Sequence, residues 1–296
     1  MRIAFTSDLH VDITAQNGAL VPYLSERVRD LEADVFVIAG DLANDLSGWT
    51  RALEHFHSLA IPKLVIPGNH DVWIESRRAL QRAQDSRWKY RVALAERAAQ
   101  QGFHYLPNTP VVLNGVGFAG SLGWYDYSFR DRRLDPSLGS KDYERGAFAS
   151  GSWNDARYAV WLREPHSPDW KRRMLRFRDE DICSDLLKEL GHDLDAIASQ
   201  VERMVAIVHT TPFEACVERS TIPDPFDAYQ GSARLGEVLT RFERTHGVAV
   251  ICGHIHASLK LTVGGVRVLR SPVGYLQSFD GDYYAKAREA VGLFEI

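Results

Sequence analysis

Three cysteines in 296 residues, Cys183, Cys216 and Cys252, are too few and too far apart for a disulfide framework. None belongs to a CxxC pair, so all three read as reduced thiols of a cytoplasmic protein, Cys252 buried in a strand. Long apolar runs are missing as well: nothing approaches the roughly 18 residues that a membrane span requires. The first β-rich run starts at Arg2, which leaves no place for a signal peptide ahead of it. A surplus of one charge is also absent. A net charge of −4 gives no global attraction to nucleic acid or anionic membrane. No internal repeat or low-complexity tract interrupts the chain. What remains is a composition with 45% apolar residues, sufficient at this length to bury a substantial core.

Apolar, β-rich runs occur at 2–7 (RIAFTS), 35–39 (VFVIA), 63–67 (KLVIP), 205–209 (VAIVH) and 248–252 (VAVIC). Segments of helical period separate them, at 18–32, 46–59, 75–101, 181–203 and 231–246, with Gly102 and Gly247 placed where helix C-caps are expected. Alternation of this kind predicts βαβ units around a buried sheet. A hairpin signal follows: LKLTV, then Gly264-Gly265, then VRVLR. Residues 121–180 break the rhythm. They carry four of the seven tryptophans, with lysine and arginine nearly balancing aspartate and glutamate, and no clean period. Such a stretch inside one domain is expected to be functional or mobile. We read residues 1–296 as a single domain, with an irregular insertion at about 121–180 near the active site.

The chemistry gathers at the strand ends. The first run ends in Asp8-Leu9-His10, the second in Gly40-Asp41, and the third in Gly68-Asn69-His70-Asp71. The fourth ends in His209 and the fifth in Gly253-His254-Ile255-His256. Ligands of open α/β sheets bind beyond the carboxyl ends of the strands, where loops converge. Carboxylates, an amide oxygen and imidazoles form a mixed N/O set that suits Mn, Fe, Zn or Co better than Ca or Mg. Two divalent ions against Asp8 and Asp41 leave excess positive charge even after a bridging hydroxide is counted, which favours phosphate oxyanions. Paired metals can generate that hydroxide and clamp an in-line displacement. The chain carries its own control in His55-Phe56-His57, which falls in a predicted helix. There, positions i and i+2 diverge and cannot share a metal. An ordinary capping or turn role could explain any one strand end, but it would have to hold independently at five.

These blocks, in this order, resemble the calcineurin-like metallophosphoesterase superfamily, whose pattern runs DxH, GD, GNH[DE], H, GHxH. The resemblance spans residues 8 to 256. It implies a four-layer α/β/β/α sandwich with two mixed sheets. It implies one metal held by Asp8, His10, Asp41 and His256, and a second held by Asp41, Asn69, His209 and His254, with Asp41 bridging. His70 would be catalytic and not a ligand, facing the substrate to stabilise developing charge or protonate the leaving oxygen. Two departures stand out. Val208 precedes His209 where many relatives have glycine. Asn44 occupies the offset at which some phosphatases of the superfamily place a second aspartate that pairs with the catalytic histidine. That leaves open what orients His70, and argues against the protein Ser/Thr phosphatase branch.

The expected activity is metal-dependent hydrolysis of a small phosphodiester or phosphomonoester, using two divalent transition-metal ions per chain, manganese among the candidates. The alternatives are a DNA nuclease of the same superfamily and a noncatalytic, metal-stabilised interaction module. Nucleic acid is the less favoured partner: the arginines of 75–101 (Arg77, Arg78, Arg82, Arg87, Arg91, Arg97) are spread around the helix as on a solvated face. Trp124, Tyr125, Tyr127 and Trp153 suit either stacking on a base or anchoring the insertion. A nearly neutral, aromatic insertion is better suited to covering a small ligand than to binding duplex phosphates.

Overall fold

A computed structural model describes residues 1–74 and 76–296. Its strands are β1 (Arg2–Thr6), β2 (Val35–Ala39), β3 (Lys63–Ile66), β4 (His104–Tyr105), β5 (Val111–Leu113) and β6 (Val116–Ser121). They continue with β7 (Ala147–Phe148), β8 (Gly151–Ser152), β9 (Arg203–Val208), β10 (Gly247–Cys252), β11 (Leu259–Val263), β12 (Val266–Arg270) and β13 (Gly292–Glu295). One sheet has the order β13-β1-β2-β3-β4 and the other β11-β12-β10-β9-β6-β5, with β7 and β8 as a separate pair. Both large sheets are mixed. β13 runs antiparallel to β1, and β5 and β11 run antiparallel to β6 and β12, while the inner strands are parallel.

Alternation along the strands explains the layers. Ile3, Phe5, Val35, Val37, Leu64 and Ile66 of the first sheet share one buried cluster with Val116, Phe118, Val205, Ile207, Ala249 and Ile251 of the second. The intervening residues, such as Phe36, Ile38, Val65, Met204, Ala206 and Val250, pack on the helical side with Leu20, Leu24, Trp49, Leu53, Leu190 and Leu235. Each inner strand is therefore apolar on both faces, which is why it reads as a continuous apolar run. The result is the four-layer α/β/β/α sandwich of the metallophosphoesterase fold.

Local chemistry sets most boundaries. Thr14 accepts from the Asn17 N–H at 3.1 Å and starts the helix Ala15–Asp30, three residues ahead of the predicted start. Asp45 accepts from Gly48 N–H at 2.7 Å and starts Leu46–Glu54. That helix ends before His55, so His55 and His57 sit in an exposed turn and not in the predicted helix. The hairpin register pairs Leu259 with Arg270 and Val263 with Val266, with Gly264 and Gly265 at φ +52° and +86° in the turn.

Two further expectations fail. Gly247 does not cap a helix; Ala233–Glu243 ends in ordinary αR geometry at Arg244, and Gly247 opens β10 instead. The continuous helix expected at 75–101, whose first residue lies outside the described residues, is broken into Arg77–Gln81, Ser86–Trp88, a π-turn Lys89–Ala93 and Leu94–Gln100. Docking of residues 160–162 causes the break. Asp85 accepts from Leu162 N–H and Ser86 from Val160 N–H, while the Ser86 hydroxyl donates to Val72 O. Helical period is a local preference, and these tertiary bonds override it.

Candidate metal centre

The strand ends converge because the backbone there adopts conformations that most residues avoid. Asp8, His10, Asp41 and His254 all lie in the left-handed region, at φ 55°, 47°, 56° and 71°. Single excursions of this kind in non-glycine residues cost about 1–3 kcal/mol and cluster at functional sites. Backbone bonds lock them: Asp8 N–H to Gly40 O at 2.9 Å, His10 N–H to Asp41 O at 3.0 Å, and Gly253 N–H to His209 O at 2.9 Å. Asp71 ties the second and third loops together. Its two oxygens accept backbone N–H groups of Asp41, Leu42, Ala43 and Gly68, two apiece. Burial and the charge of Asp41 act to raise its pKa, to about 8. A proton on either oxygen would displace one of those four donors, so the hydrogen-bond inventory favours the carboxylate. Gly68 is required here, since a Cβ would lie 2.6 Å from the Asp41 backbone nitrogen and would also strike its carboxylate.

Within this frame the candidate donors face one another. His10 Nε2 lies 3.1 Å from His256 Nε2 and 3.6 Å from Asp41 Oδ2, and His256 Nε2 lies 3.5 Å from Asp8 Oδ1. His209 Nε2 lies 3.3 Å from Asp41 Oδ2 and 3.1 Å from Asn69 Oδ1, and His254 Nδ1 lies 3.0 Å from the same amide oxygen. Among the described residues, three groups have donor atoms within 4.8 Å of one another: Asp8/His10/His256, Asp41/His209/His254 and His10/Asp41/His70. Bonds of about 2.0–2.2 Å to one ion, opened at roughly tetrahedral or octahedral angles, would space donors by about 2.8–3.6 Å. The observed spacings match.

The donor chemistry agrees with the spacing. His209 Nδ1 is 2.9 Å from Ala39 O and His254 Nε2 is 3.1 Å from Tyr229 O. A carbonyl only accepts, so each far nitrogen carries the proton and each near nitrogen offers a lone pair to the cluster. Those lone pairs meet the Asn69 oxygen, which is also an acceptor. Electron pairs facing one another with no hydrogen between them are what a cation resolves. Where no cation is held, protons take its place. Burial lowers His209, but Asp41 beside it carries the imidazole up to about 9. Burial works upward on Asp41, and His209 and His70 hold it well below the usual carboxylate range. Burial drives His10 and His254 down to about 3, so both stay neutral and able to ligate.

His70 stands beside the cluster. Its Nδ1 is 2.8 Å from Asn44 Oδ1, which answers what replaces the missing aspartate: an amide oxygen accepts a hydrogen bond from Nδ1–H and turns Nε2 outward. Its ring stacks on Trp73 with centroids 3.9 Å apart. The Tyr275 hydroxyl is 3.5 Å from Nε2, and its ring covers His10 and His256. Asn17 positions that loop, donating to Leu9 O and Gly274 O and accepting from Leu276 N–H. Sequence reasoning missed Asn17, Trp73, Asp155 and Tyr275, since nothing in their local pattern marks them.

Asp41, Asn69, His70, His254 and His256 line a cavity of about 740 Å³, walled by Trp73, Trp153, Phe226 and Tyr275, with Ser152, Asn154 and Asp155 also along it. Of the four aromatics singled out earlier, Trp124, Tyr125 and Tyr127 are buried anchors, whereas Trp153 faces the cavity.

A family model described as calcineurin-like phosphoesterase matches residues 1–258. The chain belongs to that family. Membership assigns it to the phosphoester hydrolases and, with the His/Asp groups above, supports divalent metal as its cofactor. A search of curated proteins finds no match. Among solved structures, a phosphopantetheinyl hydrolase from Mycobacterium tuberculosis superposes with a TM-score of 0.66 at 18% identity, covering 99% of this chain and 95% of that one. At that identity the likeness speaks to the fold alone. A protein from Thermus thermophilus is a looser likeness, at 13% identity, 99% and 97% coverage and a TM-score of 0.49. No described helix is long and apolar enough to cross a membrane.

Proposed function

We propose that the chain hydrolyses a small phosphodiester or phosphomonoester with two divalent transition-metal ions, of which manganese is the first to test. Asp8, His10, Asp41 and His256 would hold one ion, and Asp41, Asn69, His209 and His254 the other. Bound there, such ions supply Lewis-acid activation of water and of the phosphoryl oxygens. The single observation that carries the reading is the convergence of seven ligand-type side chains at spacings of 3.0–3.6 Å, with backbone carbonyls holding the far nitrogens of His209 and His254 so that their near nitrogens face the Asn69 oxygen.

The protein's own groups would do the rest. Asp41 serves the cluster through Oδ2 while Oδ1 accepts the His70 backbone N–H at 3.0 Å, so charge and acid are fixed to one another. With Nδ1 bound to Asn44, His70 can give or take a proton only at Nε2, on the cavity side. Its role is to protonate the leaving oxygen or to stabilise charge developing on the phosphoryl group. Trp73 behind the ring and Tyr275 in front restrict its motion.

The cavity wall supports a small ester over duplex DNA. Its acids are Asp155, Glu218, Asp224 and Asp227 besides Asp41, and Arg219 is already paired with Asp227 at 3.0 Å and with Glu214. Duplex phosphates need several unpaired cations. Of the arginines in 78–100, Arg87 is paired with Asp185 and Arg91 with Glu189. The three buried, free thiols fit a reducing, cytoplasmic setting. Turnover of a chromogenic phosphodiester and monoester with Mn²⁺, beside linear duplex DNA at moderate salt, tests the reading. A metabolite screen that includes phosphopantetheinyl compounds would refine it. Mn²⁺-dependent release from the small esters is expected. Efficient DNA degradation would transfer the assignment to a nuclease, and no turnover of any ester would leave a binding module.

A further inference from the structure

Asp155 begins the short helix Asp155–Tyr158 within the 121–180 segment and is 2% exposed. No ion pair reaches it among the described residues. Instead it collects four donors. Oδ1 accepts from Asn69 Nδ2 at 3.0 Å and Trp73 Nε1 at 2.6 Å. Oδ2 accepts from Trp153 Nε1 at 3.1 Å and the Tyr125 hydroxyl at 3.3 Å. An indole N–H can only donate, and Trp73 has no second acceptor among the described residues, so the oxygen that also meets Asn69 has to be an acceptor.

The bond to Asn69 has a consequence at the cluster. An amide can turn its oxygen or its NH₂ toward a neighbour. Toward the His254 Nδ1 lone pair the NH₂ would be the better partner where no cation is present, because it would donate to it. That orientation satisfies the hydrogen bonds and offers a cation nothing. Asp155 opposes it: a carboxylate on the far side can accept only from the NH₂, which forces the oxygen inward, 3.1 Å from His209 Nε2 and 3.0 Å from His254 Nδ1. The same Asp155 oxygen holds the Trp73 indole, whose ring lies against His70.

We infer that Asp155 is a positioning residue, which fixes the Asn69 amide with its oxygen toward His209 and His254 and seats Trp73 behind His70. The inference rests on the reading of Asn69 as a metal ligand. It divides the centre in two. The Asp8/His10/His256 side depends on strand ends alone, whereas the Asn69/His209/His254 side depends on a carboxylate delivered by the insertion. Outer-shell carboxylates of this kind orient ligands, and their loss typically costs about 10–100-fold in metal affinity.

Calorimetric titration of Mn²⁺ into the metal-free full-length chain separates the cases. The wild type is expected to show two binding events. Asp155→Asn and Asp155→Leu should weaken one event by about 10–100-fold and leave the other within about threefold, with fold content checked by circular dichroism. If Asp155→Leu does not fold, Asp155→Asn carries the test. The double variant Asn69→Asp/Asp155→Asn exchanges carboxylate and amide: the new carboxylate needs no orienting to present an oxygen, and the new amide can donate to it. Recovery of the weakened event in the double variant is expected, whereas a merely architectural role for Asp155 would leave it weak. Wild-type affinity at both events in the single variants, or failure of the exchange to restore the weak one, overturns the inference. A wild type that binds no divalent ion at all overturns the reading of Asn69 as a ligand, and this inference with it.

Discussion

Asp8, Asp41, Asn69, His209 and His254 follow the ends of five parallel strands, and their positions are set by backbone bonds between neighbouring loops. Asp155 and Trp153 reach the same cavity from a segment of short, irregular elements, and their positions are set by side-chain bonds to Trp73, Tyr125 and Asn69. The first region carries its chemistry in residue types placed at element ends, where the fold brings every such end together. The second adds orientation to groups that are already there. Removing a proposed strand-end ligand should therefore abolish a function, and removing a residue of the 121–180 segment should degrade one.

The largest effect should come from Asp41→Asn. It removes the charge that both proposed ions share, and a loss of at least about 10³ in kcat/KM, roughly 4 kcal/mol of transition-state stabilisation, is expected with depleted metal content. A mutant that keeps two ions and most of its rate would break the distinction between the regions. His70→Ala should retain metal and lose about 10²–10⁴ in kcat, less for esters with good leaving groups that need little protonation. Equal losses across a series of leaving groups would remove His70 from the proton transfer. Asn44→Ala, which frees the His70 ring, should cost kcat about tenfold with KM little changed.

The insertion side should respond more gently. Trp153→Ala takes away a cavity wall that stacks on Tyr229 at 4.6 Å, and KM for a small ester should rise severalfold with metal content unchanged. An unchanged KM would place the substrate elsewhere in the cavity. The last effect is on stability and not on turnover, and concerns how the 121–180 segment is anchored. Asp179 accepts from Trp124 Nε1 at 2.8 Å and from the Tyr127 hydroxyl, and burial raises its pKa to about 6. The folded chain then binds this proton more tightly than the unfolded chain, whose value is near 3.8. Its contribution to stability is therefore fully present below about pH 4 and is lost as pH rises toward about 6, by at most about 3 kcal/mol. Thermal melts between pH 4 and 7 should show that fall, and Asp179→Asn should flatten it. A wild-type curve with no fall in that window would put the carboxylate in a more polar setting.

The difference between the regions also governs what the sequence reveals. β1, β2, β3, β9 and β10 are legible because burial on both faces writes an uninterrupted apolar run, and the run's end marks where a ligand can sit. The hairpin of β11 and β12 is legible because only certain turns take two glycines at positive φ. Residues 77–100 are not legible, because Asp85 and Ser86 bond to Val160 and Leu162 across more than seventy positions and defeat a local helical period. Gly247 misleads for a simpler reason: a glycine after a helix can equally open a strand. Asn44 is visible as a departure from the family pattern, yet only its 2.8 Å contact shows that it still serves His70. Asp155 gives no signal at all, being one aspartate in a nearly neutral segment until the fold sets it beside Asn69.

The central claim is that the facing acceptors at the cavity floor form a two-metal centre. Elemental analysis after Mn²⁺ reconstitution and removal of free metal tests it most directly. Close to two ions per chain are expected in the wild type and close to none in Asp41→Asn, whereas trace metal in both would contradict it.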